Sequence, residues 1–177
     1  MCKCNNIYKY NESGLNHECG VLGIYGVPDA ANLAYYGLHA LQHRGQQGCG
    51  IVSVDSQGEF HRFKGDGLVT EVFNEDKISK LQGSMAIGHV RYSNAKCKGT
   101  ENIQPFLFHH NSGDFAMANN GQIANYVQLR NELEDRGSLF QSSSDAEVIA
   151  HLIKKQGTDK TLPRIYSIKS ALNMVDG

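Results

Sequence analysis

Five short segments of this sequence place chemically capable side chains where a backbone can hold them still. Glu18-Cys19-Gly20 puts a thiol at the entrance to an apolar stretch, Val21 to Tyr25. A strand end is rigid, and the glycine after it lets another molecule approach closely. A thiol there is a nucleophile if a neighbouring group accepts its proton, or equally a small hydrophobe packed in the core. Gln42-His43-Arg44-Gly45-Gln46 is a polar cluster in which Arg44 either supports a site or complements the end of a helix. Arg91, closing Gly88-His89-Val90-Arg91, presents a planar fork that suits a carboxylate, or equally a surface ion pair. Asn120-Gly121 follows a strand. It reads as a hairpin turn, or as an amide side chain and a backbone N–H directed at one developing oxyanion. Asp145 stands in the first turn of a helix, where the dipole favours a carboxylate, and could equally hold an ammonium group.

The elements that would position these groups are legible as patterns. Strands are expected over 21–25, 49–54, 59–64, 84–91 and 114–118, with Asp55-Ser56-Gln57-Gly58 as a turn. Apolar residues at helical spacing predict a helix over 29–43. Asn125 is expected to cap a helix carrying Leu129 and Leu133 and ended by Gly137. Ser144 and Glu147 have capping-box spacing ahead of Val148, Ile149, Leu152 and Ile153. Leu162, Ile165, Ile168 and Leu172 suggest a final helix. Strands first and helices last, with short connections, point to an α+β arrangement of packed sheets with helices outside.

Composition narrows the partners. The 17 lysines and arginines nearly balance 18 aspartates and glutamates, which gives no electrostatic reason to expect nucleic acid or an anionic membrane. No apolar run approaches the roughly 20 residues of a membrane-spanning helix. The opening residues 1–16 lack the apolar centre of a secretory signal, so the cytoplasm is the expected compartment. The five cysteines, Cys2, Cys4, Cys19, Cys49 and Cys97, are odd in number and irregularly spaced, unlike a disulfide framework. Cys2 and Cys4 lack a second pair at zinc-site spacing and read as exposed thiols, so no metal site is expected.

Taken together the segments resemble one family. Cys19 to Ile24 and the run from Tyr35 to Gln46 are similar to the glutamine amidotransferases with an N-terminal cysteine nucleophile. Gly67 to Phe73, Gly88 to Tyr92, Asn120-Gly121 and Ser143 to Glu147 resemble the amidophosphoribosyltransferase (glutamine phosphoribosylpyrophosphate amidotransferase) branch. The likeness runs from Glu18 to Lys155. It implies a four-layer αββα sandwich of the N-terminal nucleophile hydrolase type, here truncated at its C-terminus. Residues 1–18 would be a propeptide and 19–177 an incomplete glutamine amidotransferase type 2 domain, the phosphoribosyltransferase domain being absent.

By the same resemblance, Cys19 attacks glutamine and Asn120 and Gly121 stabilise the oxyanion. Arg91 and Asp145 bind the substrate α-carboxylate and α-ammonium, and Arg44 supports the site. Ammonia would serve 5-phosphoribosylamine synthesis in purine biosynthesis. Phosphoribosylpyrophosphate, magnesium and any iron–sulfur cluster would belong to the missing part, and the full-length protein would be a homo-oligomer. Two departures stand out: Asn119 where the family usually has histidine, and the 93–99 loop, poorer in glycine than its counterparts. The alternatives are a silent assembly or regulatory fragment of this fold, or the glutaminase domain of another class II amidotransferase.

Overall fold

In the computed structural model, residues 19–92, 99–110, 113–157 and 163–177 are described. They divide into two compact units, Met1–Asn120 and Gly121–Gly177.

The first unit is built on a four-stranded antiparallel sheet in the order β1-β4-β2-β3. Its strands are β1 (Gly20–Tyr25), β2 (Gly48–Val54), β3 (Phe60–Asp66) and β4 (Met85–Arg91). One face is covered by helix α1 (Ala30–Ala40) and the short α2 (Val69–Val72). Strand alternation sends Cys49 and Ile51 of β2 and Ala86 and Val90 of β4 into that layer, against Ala30, Ala34 and Leu38. Each fully buried leucine or isoleucine there contributes about 1.5–3 kcal/mol. The close packing needs glycine: a Cβ at Gly88 would lie 2.9 Å from the Leu38 side chain.

The opposite face carries Ile87, His89 and Arg91 by alternation, and the segment around Ile103 to Pro105 packs on it. Gly50 admits that segment, since a Cβ there would sit 2.5 Å from the Gln104 carbonyl. Beyond it, β5 (Phe106–Phe108) and β6 (Phe115–Met117) form a two-stranded antiparallel sheet. A further short helix, α3 (Glu75–Ser79), is capped by the Asn74 side chain.

The second unit holds α4 (Tyr126–Asp135), α5 (Ala146–Gln156) and α6 (Arg164–Leu172). The Gly137 stop predicted for α4 is present: Gly137 adopts φ 88° and donates to the Glu134 carbonyl, while Ser138 donates to Leu133. That pair of bonds satisfies two orphan carbonyls at the helix end.

Four expectations differ from the structure. Asn125 stands at the start of α4 but does not cap it, because its side chain bonds the main chain of Met174 and Asp176 instead. The helix over 29–43 stops at Ala40, and Gln42–Arg44 tightens into a single 3-10 turn. Ser144 does not cap α5; Asp145 does, accepting from its neighbour Ala146 N–H at 2.9 Å. Glu147 turns away from a capping box because its carboxylate is buried and accepts instead from Gln141 N–H, Ser142 N–H and the Ser142 hydroxyl. In α6 the buried positions are Ser167 and Ala171, whereas Ile165 and Leu172 are exposed; Leu162 lies outside the described residues.

Candidate functional site

Cys19 is half-buried immediately before β1. Because β1 pairs with β4 from Gly20 opposite Val90, the chain at Cys19 runs beside the end of β4. The contact is direct. Tyr92 N–H donates to the Cys19 sulfur at 3.3 Å, and the thiol lies 3.5 Å from the Tyr92 carbonyl oxygen, to which it donates. The main chain of Cys19 is held as well, its carbonyl accepting from Arg44 Nε at 3.2 Å.

The Arg44 turn is in turn locked in place. Gln42 donates to the Gly45 carbonyl and accepts from Val69 N–H at 2.7 Å, joining the turn to the start of α2. Gln47 N–H donates to the Arg91 carbonyl. Gly45 lies so close to the end of β4 that a Cβ there would be 2.5 Å from the Arg91 carbonyl carbon. Any side chain at that position must push back the Arg91–Tyr92 backbone that cradles the thiol. The signature Gln42 to Gly45 thus holds the backbone and the sulfur of Cys19 together.

The other cysteine among the described residues is of a different kind. Cys49 is fully buried on the helix-covered face, and burial pushes its thiol up to about 12. A thiol held protonated in an apolar layer is inert packing.

Arg91 ends β4 and is half-buried. Two residues earlier on the same face, His89 is wholly buried. Burial lowers its pKa most, the adjacent Asn119 backbone opposes this, and the Arg91 charge lowers it further, leaving about 4. Neither ring nitrogen has a well-formed hydrogen-bond partner among the described residues, so the Asn119 contact is a loose one. His89 is therefore neutral at pH 7.

That neutrality has a testable consequence. The unfolded state binds the His89 proton below pH 6.5 and the folded state only below about 4. Stability is then full above pH 6.5 and falls as the pH drops towards 4, by on the order of 3 kcal/mol. Replacing His89 by glutamine should flatten stability between pH 6.5 and 4.5 in denaturant titrations. Glu147 loses its contribution lower down. Burial raises its pKa, but the nearby His151 ring, 3.6 Å away, and hydrogen bonds from Gln141 and Ser142 outweigh this and hold it at about 2. An unchanged slope above pH 4.5 in the His89 variant would show that another group titrates there.

Asn120 ends the first unit and is exposed. The hairpin reading of Asn120-Gly121 does not hold, because β6 pairs with the preceding β5 and the chain after Gly121 enters α4. The residue before it is held through its backbone, Asn119 N–H donating to Gln104 Oε1 at 2.6 Å.

Gly121 begins the second unit. There Asp145 uses both carboxylate oxygens on main-chain donors, Oδ1 on Ala146 and Oδ2 on Ile123 at 2.9 Å. A carboxylate retains further acceptor capacity after two such bonds.

The structure thus brings Cys19 and Arg44 into contact and sets Arg91 at the strand end against which the thiol rests. It also adds groups that the sequence reading passed over. Gln42 stood inside a quoted motif but carried no sign of its partner Val69. Tyr92 acts through its backbone, which no side-chain pattern reports. Gln104 acts on a residue 15 positions away. The 93–99 loop lies, except for Gly99, outside the described residues. Among the described residues, no group of three or more histidine, cysteine, aspartate or glutamate side chains could hold a metal ion. No described helix is long and apolar enough to cross a membrane.

Comparison with known proteins gives consistent matches. Residues 75–168 match the family model for a glutamine amidotransferase domain. The chain is 51% identical over 165 residues to an amidophosphoribosyltransferase of Bacillus subtilis (strain 168), covering 93% of this chain and 34% of that protein. It is 48% identical over 169 residues to an amidophosphoribosyltransferase of Lacticaseibacillus casei, covering 95% of this chain and 85% of the relative. Among solved structures, glutamine phosphoribosylpyrophosphate amidotransferase from B. subtilis, complexed with ADP and GMP, superposes with a TM-score of 0.81 at 49% identity over 89% of this chain. The chain spans about a third of the length of that protein, 33% by the superposition. At this identity and score it shares that enzyme's α+β, N-terminal nucleophile hydrolase fold.

Proposed function

Since the chain belongs to the amidophosphoribosyltransferase family of glutamine amidotransferases, we propose that it hydrolyses glutamine with Cys19 as the nucleophile, delivering ammonia for 5-phosphoribosylamine synthesis in purine biosynthesis. The observation that carries this reading is the thiol of Cys19, cradled by the Tyr92 backbone at the end of β4 while Arg44 holds its own carbonyl.

The residues 1–18 are read as a propeptide whose removal makes Cys19 residue one of a glutamine amidotransferase type 2 domain. Its α-amine, with a pKa near 8, then takes the thiol proton. The sulfur attacks the side-chain amide carbon of glutamine, and the Asn120 amide and Gly121 N–H receive the oxyanion. The C–N bond breaks, the proton passes from the α-amine to the departing nitrogen, and ammonia leaves a thioester. Water attacks that thioester, glutamate departs, and the thiol is restored.

Arg91 binds the substrate α-carboxylate through its guanidinium fork. Asp145 is assigned the α-ammonium on the family resemblance alone. Phosphoribosylpyrophosphate, magnesium and any iron–sulfur cluster are matters for parts of a full-length protein outside this chain. A cytoplasmic, homo-oligomeric protein is the corresponding proposal for the cell. The relatives' names favour this branch over other class II amidotransferases, and the organised thiol environment disfavours a silent fragment.

The Arg91 clamp provides the experiment. Truncating a charge-assisted contact costs about 2 kcal/mol or more, roughly 30-fold in affinity. Arg91→Ala should therefore raise the glutamine KM about 30-fold in steady-state glutaminase assays, with far less effect on the melting temperature. An Arg91→Ala protein with a normal KM and reduced thermal stability would assign Arg91 to packing.

A further inference from the structure

Asn120 follows the last residue of β6 by three positions and lies outside any strand or helix, yet an oxyanion donor must be held to within a fraction of an ångström. The described contacts supply one firm anchor close to it in sequence. Gln104 is 7% exposed, and its Oε1 accepts the Asn119 N–H at 2.6 Å. Beyond the end of the β5–β6 ladder this N–H has no strand to pair with, and Gln104 provides the acceptor that a strand would have given.

Gln104 is itself immobile. It is flanked by Ile103 and Pro105, both fully buried. The Ile103 carbonyl accepts from Lys64 Nζ at 2.9 Å. The Gln104 carbonyl packs over Gly50 of β2, where even a Cβ would come within 2.5 Å. The bond therefore ties the Ala118–Asn119 peptide, one residue before Asn120, to the main sheet. The His89 ring of β4 lies against the same Asn119 backbone.

We propose that Gln104 is a positioning residue for glutamine hydrolysis: its buried amide oxygen fixes the Asn119 backbone and so aims the Asn120 side chain at the oxyanion. This rests on the oxyanion role proposed for Asn120. It also accounts for the tolerance of asparagine at position 119, since the feature used there is the N–H common to every residue but proline.

The test is a mutant cycle in the full-length, processed protein, read by glutaminase kinetics. Gln104→Met keeps the side chain's length and removes the acceptor. It should lower kcat on the order of 10- to 100-fold, with the glutamine KM within about threefold. Iodoacetamide should alkylate Cys19 at the wild-type rate, because that reaction needs no oxyanion donor. Gln104→Glu, which keeps an acceptor oxygen, should recover most of the kcat. Combined with Asn120→Ala, Gln104→Met should cause no further loss, as expected of two residues acting through one interaction.

Wild-type kcat in Gln104→Met, a full multiplicative loss in the double variant, or slowed alkylation would each overturn the proposal. If Gln104→Met fails to fold, Gln104→Asn, one methylene too short to reach, provides the same comparison. A wild-type kcat in Asn120→Ala alone would sink the oxyanion reading itself. An impaired Asn120→Ala beside an unaffected Gln104→Met sinks only this one.

Discussion

Asn120→Ala should lower the glutaminase kcat on the order of 100- to 1,000-fold while leaving the glutamine KM nearly unchanged. The expected size follows from when the amide acts. A donor aimed at the place where negative charge develops meets a carbonyl in the ground state and an oxyanion in the transition state, so its loss falls on kcat. Asn120 is exposed and free of any strand, and the residue before it is anchored by Gln104. Asn119→Ala should do much less, because the N–H bonded to Gln104 survives that change. Equal losses at the two positions would mean that the segment had been distorted, and the oxyanion assignment would have to be given up.

The second large effect concerns maturation. Protein that retains residues 1–18 should show glutaminase activity lower by on the order of 100- to 10,000-fold, the usual contribution of a positioned base. In the precursor, the nitrogen of Cys19 is an amide with no basicity, whereas in the processed chain it is an amine with a pKa near 8. The thiol itself needs no rearrangement, since its contacts to Tyr92 involve the sulfur and not the terminus. Intact mass measured beside activity decides the matter. Full activity in a sample whose every molecule carries the leader would end the propeptide reading.

What was legible in the sequence was whatever depends on local pattern. A glycine-bounded apolar run placed β1, strand-like runs placed β2 and β4, and a glycine at the right offset placed the end of α4. The misses have several causes. The short α2 is held at its start by Gln42, 27 residues upstream. Strand β5 is three residues long and has no period to detect. Glu147 had capping-box spacing, but burial gave its carboxylate a better use on the 141–142 backbone. At the site, Cys19 and Arg91 were readable as residue types at strand ends, whereas their adjacency is a product of β1–β4 register. Tyr92 acts through its main chain, and Gln104 acts on the main chain of Asn119; such groups are alike in every residue and leave no mark in composition.

The central claim is that Cys19 attacks a glutamine side chain, and 6-diazo-5-oxonorleucine, a glutamine analogue with an electrophilic carbon, tests it most directly. Processed protein treated with this reagent should gain a single adduct, and peptide mapping should place it on Cys19, with excess glutamine slowing its formation. Buried Cys49 should remain unmodified in the same sample. A folded, processed protein that takes up no adduct, or takes it up elsewhere with Cys19 intact, would contradict the account.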